Sequence, residues 1–270
     1  MLALLAFVML FPIQRNRILD CYDETFCIET EETATQVNIY VLSIVKWDFT
    51  MVLDMELENM RPSVRLPLTD SFPGGSRTLI MTLRVKEPGD RWAFSFNLKW
   101  ILGNYKARHR PGHVYQLPYS SGDEYLVGQG FLGGATHEGK YAIDWDMPVG
   151  TPIRAARGGI VMELAEGFTE GRPDQALSTK ANYVKIRHND GTIGNYVHLD
   201  ENGVQVQMGD AVRTGDIIAI SGDTGFSSGP HLHFEVYSAT RELGRRTIPV
   251  KFRTERRGVV RLEEGWYYQR

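Results

Sequence analysis

His231-Leu232-His233-Phe234-Glu235-Val236-Tyr237 follows a turn-like Ser227-Ser228-Gly229-Pro230 and reads as a β-strand. Side chains alternate sides along a strand, so His231 and His233 point to one face. Two adjacent imidazoles are poor packing material and good metal chemistry, because neutral histidine is the commonest metal ligand. The runs upstream have the same texture. Residues 150–164, 182–188, 193–199 and 210–221 are separated by Gly-rich punctuation, the pattern of short strands joined by turns. This half of the chain is therefore expected to be mostly β. A lone His-x-His is a weak signal; two clusters before it add the weight.

The first cluster is His137-Glu138-Gly139-Lys140-Tyr141-Ala142-Ile143-Asp144, which continues through Trp145-Asp146 to the turn Gly150-Thr151-Pro152. The second is Tyr196-Val197-His198-Leu199, preceded by the strand-like Asn182-Tyr183-Val184-Lys185-Ile186 and the turn His188-Asn189-Asp190-Gly191. Together with the closing stretch GDAVRTGDIIAISGDTGFSSGPHLHFEV (residues 209–236), they make residues 137–237 resemble a known catalytic domain. It is that of the lysostaphin/LytM-type zinc metallopeptidases, enzymes that cut peptide cross-links in bacterial cell walls. That family has a His and an Asp before a Gly-Thr-Pro turn, then Tyr-x-His-Leu, then His-Leu-His. The resemblance covers somewhat over a third of the chain.

Catalytic zinc takes three protein ligands from His and carboxylate groups and keeps a fourth position for water. His137, Asp144 and one histidine of the His231/His233 pair supply two nitrogens and one oxygen. Zinc brings the pKa of bound water from 15.7 to around 7 and polarises a scissile carbonyl. The resemblance implies that His233 is the third ligand. It also implies that His198 and His231 stand beside the metal, one handling the water's proton and the other the oxyanion. Which does which stays open. One departure is the spacing of the first pair: six residues separate His137 from Asp144 where the family often has three. Asp146 then competes for the ligand role. The family's turn glycine lies six residues past the ligand Asp, and Gly150 lies six past Asp144, so Asp144 is expected to ligate and Asp146 to be a same-face neighbour or a solvated carboxylate.

The other histidines get blander readings. His188 opens a hairpin-turn signature and is expected to be solvated. His109 and His113 lie in Arg108-His109-Arg110-Pro111-Gly112-His113, a connection between the two halves of the chain. Cys21 and Cys27 are the only cysteines and stand outside the zinc pattern. In an exported protein an even count permits one small disulfide.

At 270 residues the chain has room for two domains. Residues 37–100 alternate apolar and polar with turns between, which predicts a small antiparallel β-sandwich. The expected architecture is all-β, an N-terminal β-sandwich followed by a zinc metallopeptidase domain with a groove across its sheet. The expected extents are a leader over 1–28, the sandwich over 29–108, the catalytic domain over 109–255 and a C-terminal extension over 256–270. The apolar run Leu2–Ile13 is too short for an ordinary spanning helix and fits a secretory signal or an anchor, placing the protein in the periplasm or cell envelope. Residues 163–181 are expected to be a long loop that borders the groove.

The expected function is a zinc-dependent endopeptidase acting on peptidoglycan cross-link peptides. D-alanyl–diaminopimelate links are favoured over glycine bridges because the extra domain lies N-terminal. Thirty Lys and Arg against thirty-three Asp and Glu give a net charge of −3 and no reason to propose nucleic acid as a partner. Three rivals remain. A non-enzymatic relative that regulates other hydrolases would lack metal-site residues, and none is missing here. A sugar-phosphotransfer carrier would need no ligand Asp. A wall-binding protein with structural zinc would close the fourth coordination position.

Overall fold

The computed structural model describes residues 17–270. They are almost wholly β, with one short 3₁₀ turn, Gln175–Leu177. No helix among them is long and apolar enough to cross a membrane. The chain divides into two compact units between Lys106 and Ala107, with Ala239–Gly244 grouping with the first.

The first unit holds β1 (Arg17–Tyr22), β2 (Phe26–Glu32), β3 (Gln36–Ser43), β4 (Phe49–Glu58), β5 (Met60–Pro62), β6 (Leu68–Phe72), β7 (Arg77–Val85) and β8 (Ala93–Leu102). They form an antiparallel sheet β1-β2-β3-β7-β5 and a second one, β6-β4-β8. The period-2 pattern explains the pairing of the two sheets. Val37, Ile39 and Val41 of β3 are buried and meet Phe49, Met51 and Leu53 of β4 in one core. The result is the expected sandwich, with the 37–57 run broken into two strands at Ile44–Asp48.

Two extents differ from expectation. Residues 17–28, placed in the leader, form β1 and the start of β2, tied in register and by a Cys21–Cys27 disulfide. Residues 256–270, read as an extension, carry strands of the second unit. The apolar run 2–13 lies outside the described residues.

The second unit continues with β9 (Val114–Gln116), β10 (Glu124–Gln129), β11 (Ala142–Asp146), β12 (Pro152–Arg154), β13 (Gly159–Ala165), β14 (Gly171–Arg172), β15 (Asn182–Arg187) and β16 (Ile193–Val204). It closes with β17 (Ala211–Val212), β18 (Ile217–Ser221), β19 (Gly225–Phe226), β20 (His231–Ala239), β21 (Arg245–Thr247), β22 (Lys251–Thr254), β23 (Gly258–Val260) and β24 (Tyr267–Gln269). The main sheet runs β17-β13-β15-β16-β20-β11-β10-β24. Leu232, Phe234 and Val236 turn one face of β20 into the core, where Phe234 packs among Tyr196, Trp145, Phe252 and Tyr115. That burial fixes the opposite face of the strand for His231 and His233.

Residues 163–181, expected to be one long loop, begin with the end of β13 and hold β14 and the 3₁₀ turn. β14 pairs in parallel with β19, which pins Gly171 against Gly225.

Candidate metal centre

β16, β20, β11 and β10 are consecutive neighbours, and their register sets the site. Val197 pairs with His233, His233 with Asp144, and Asp144 with Gln129. Cross-strand partners share a face, so His233, Asp144 and Gln129 project from the same side of the sheet. His231 and Asp146 lie one step along in the same register and on the same side.

His137 reaches this row from the segment before β11. It is fully buried. Its Nδ1–H donates to the Gly130 carbonyl at 3.0 Å, which leaves Nε2 facing Asp144 Oδ2 at 3.2 Å and His233 Nδ1 at 3.3 Å. His233 Nδ1 is 2.8 Å from Asp144 Oδ1. His137, Asp144 and His233 form the one group among the described residues whose donor atoms all lie within 4.8 Å of one another. Tetrahedral coordination at about 2.0–2.1 Å separates ligand atoms by roughly 3.3 Å, so two nitrogens and a carboxylate oxygen at these distances fit zinc. The outer contacts match that use. The Gly130 carbonyl fixes the His137 tautomer, and the Gln129 amide, turned so that its oxygen meets the Thr136 and Ala135 N–H groups, donates to Asp144 Oδ2 at 3.1 Å.

The electrostatics are those of a preassembled donor set. Burial alone would raise the Asp144 carboxyl, but hydrogen bonds from His137 and His233 outweigh it and hold Asp144 far below the usual carboxylate range. Burial lowers His233, and its contact with Asp144 reverses that and raises it.

His198 comes to the site by a different route. It is the extra residue of a bulge, since Tyr183 opposes Val197 and Asn182 opposes Leu199. Its φ is 65°, a left-handed backbone that non-glycine residues adopt at a cost of order 1 kcal/mol. The bulge turns its ring to within 4.5 Å of His231 and 6.1 Å of His233, centre to centre. Its Nδ1–H donates to the Thr224 carbonyl at 2.6 Å. Burial, then the nearby His231 and His233, push its pKa down to about 3, so the ring is neutral near pH 7. His231 donates from Nδ1 to Gly229 O at 2.8 Å, which leaves Nε2 for the site.

All five residues singled out from the sequence therefore meet on one face. Gln129 and the carbonyls of Gly130 and Thr224 were not anticipated; strand register brings in Gln129, while Gly130 and Thr224 come from the turns next to β10 and β19. His188, expected to be solvated, is fully buried, with Nδ1 donating to Gly158 O at 3.0 Å. It follows β15 directly as the first residue of the turn, its carbonyl accepting from Gly191 N–H at 3.0 Å, but its ring turns inward and packs edge-on to Tyr115. His109 and His113 flank the same tyrosine and take no part in the metal group.

Residues 138–244 match Peptidase family M23. The chain is 36% identical over 135 residues to glycyl-glycine endopeptidase ALE-1 of Staphylococcus capitis, a stretch covering 50% of this chain and 30% of that protein. It is 35% identical over 102 residues to peptidoglycan DD-endopeptidase ShyA of Vibrio cholerae, covering 38% of this chain and 20% of that protein. Among solved structures, the catalytic domain of lysostaphin from Staphylococcus simulans aligns at 28% identity with a TM-score of 0.34, covering 46% of this chain and 87% of that one. The matched stretches span less than a third of the length of these two curated relatives.

Proposed function

Residues 138–244 are a Peptidase family M23 domain of the lysostaphin/LytM type, and on that premise we propose that the protein is a zinc-dependent endopeptidase of peptidoglycan cross-link peptides. The observation that carries this reading is the convergence of His137, Asp144 and His233 donor atoms beside His198 and His231. His137 Nε2, an Asp144 oxygen and His233 Nδ1 would hold the metal. A zinc ion there supplies Lewis acidity toward the scissile carbonyl and acidifies water.

The chain's own groups do the rest. In their neutral forms His198 and His231 both carry the proton on Nδ1, fixed by the Thr224 and Gly229 carbonyls, and present Nε2 as an acceptor. One ring takes the proton of the attacking water and becomes a cation, whose charge its carbonyl partner stabilises. The other, having taken a solvent proton on Nε2, holds the oxyanion by hydrogen bonding. The water oxygen bonds to the carbonyl carbon and the C–N bond breaks. The leaving nitrogen takes the proton that the first ring accepted from water and departs as an amine, which returns that ring to its neutral form.

Peptidoglycan lies outside the cytoplasm, so this reading carries an exported location with it. Of the two cross-link chemistries, we favour D-alanyl–diaminopimelate over glycine bridges. An exposed carboxylate, Asp146, stands beside His231 and suits a diamino acid better than glycine.

The test is digestion of purified cross-linked muropeptides of both wall types, with products identified by mass. Conversion of D-alanyl–diaminopimelate dimers to monomers is expected. Cleavage confined to glycine bridges would overturn the preference. Cleavage of neither, with metal bound, would make the protein a non-hydrolytic relative.

A further inference from the structure

Asp146 is left unused by the metal group and the two flanking histidines, although it stands in the same row as one of them. The register carries that row across four strands: His231 pairs with Asp146, Asp146 with Leu126, and Leu126 with Tyr267. Paired residues share a face, and Asp144 and Asp146 alternate onto the same face, so the row looks out from the side of the sheet that bears the metal group. At about 4.8 Å per strand it runs roughly 14 Å from His231 to the sheet edge, the length of about four extended residues.

The row is open. Asp146 is exposed, Leu126 is half-buried and Tyr267 is 59% exposed. Asp144 is saturated by His137 and His233, whereas the Asp146 side chain makes no hydrogen bond or ion pair with any described residue and does not join the metal group. Its carboxylate lies across Gly128, where a Cβ would sit 2.2 Å from Oδ1. The missing side chain at 128 gives the carboxylate its place. Cross-strand neighbours stand about 4.5–5.5 Å apart at Cβ, so a group held by Asp146 lies one to two residues from a bond presented to His231.

We propose that Asp146, with Leu126 and Tyr267 extending the row, is the subsite that selects a substrate peptide carrying a free side-chain ammonium next to the scissile bond. A diamino acid such as diaminopimelate or lysine offers that group, and a glycine bridge does not. The Leu126 and Tyr267 surfaces receive the apolar stem of the same residue or its neighbour. This assignment rests on the endopeptidase reading.

The test uses the full chain loaded with zinc and two cross-linked stem peptides that differ only in whether the free side-chain ammonium is acetylated. The wild type is expected to prefer the ammonium peptide by about tenfold in kcat/KM, the low end for a hydrogen bond to a charged group. Asp146→Asn should bring the two peptides near parity while keeping its zinc. Gly128→Ala moves the carboxylate without removing a charge and should narrow the preference as well. A wild type that cleaves both peptides equally, or an Asp146→Asn enzyme that keeps the preference, overturns the subsite alone. Loss of zinc from Asp146→Asn would make Asp146 a ligand and also overturn it. A wild type that cleaves neither peptide overturns the endopeptidase reading and the subsite together.

Discussion

His198 points toward His231 because one extra residue in β16 and a left-handed φ turn it there. Its role as proton or oxyanion partner predicts a separable phenotype. His198→Ala and His231→Ala should each retain zinc and lose about 10²–10³ in hydrolysis rate, the usual effect of removing one transition-state stabiliser. Parent-level hydrolysis by either variant would remove that residue from the mechanism. His198 was legible through the resembled family's Tyr-x-His-Leu motif, as the ligand assignment of His233 was through its His-Leu-His. Its geometry was not, because a bulge adds one residue without changing composition. His188 shows the opposite error: the turn signature was real and His188 opens that turn, but its side chain is buried against Tyr115 instead of solvated.

That burial has a pH consequence. Desolvation, then the Arg157 charge, push His188 from 6.5 down to about 3, against the Gly158 carbonyl and Asp190, which pull upward. The folded state resists protonation while the unfolded chain accepts it near pH 6.5. The stability this provides is therefore fully present above pH 6.5 and is lost as pH falls toward 3. From pH 7 to 5 the loss is about 2 kcal/mol, at 1.36 kcal/mol per pH unit. His188→Asn keeps a donor for Gly158 and cannot gain the charge, so denaturant titrations should show a flatter pH dependence for it. Equal slopes in the two proteins would contradict the assignment.

At the scale of elements, period-2 alternation identified most long strands, since burying one face leaves a strong residue pattern. The short pairings escaped it. β14 and β19 are two residues each and mark no period, yet their parallel pairing joins the 166–181 segment to the strand beside Thr224, which holds His198. β24 was equally silent. It is ordered by pairing with β10, and it adds Tyr267 to the metal-bearing side. The β1–β2 hairpin offers a local test. Cys21 and Cys27 are opposed in register and close a loop of six-residue separation. Such a loop is worth about 2 kcal/mol to the folded state in the chain-entropy view. A Cys21→Ser/Cys27→Ser double variant should unfold its N-terminal unit at lower denaturant while binding the same zinc; an unchanged midpoint would show that the disulfide does not stabilise the unit.

At the scale of the whole molecule, the chain is two β units with separate cores, and the metal group lies wholly within the second. The division was readable because the alternating 37–100 texture stops at a Pro/Gly-containing connection. Its ends were harder to place, since β1 and β24 become strands only through partners distant from the features that suggested a leader and an extension. The central claim is that one zinc, held by His137, Asp144 and His233, makes this second unit a hydrolase. Titrating zinc into chelator-stripped protein while following cleavage of a cross-linked muropeptide dimer tests it most directly. Activity should rise linearly and break at one equivalent per chain, and His233→Ala should bind little zinc and cleave nothing. Full cleavage by the stripped protein, or by a His233→Ala variant that still holds one zinc, would contradict it.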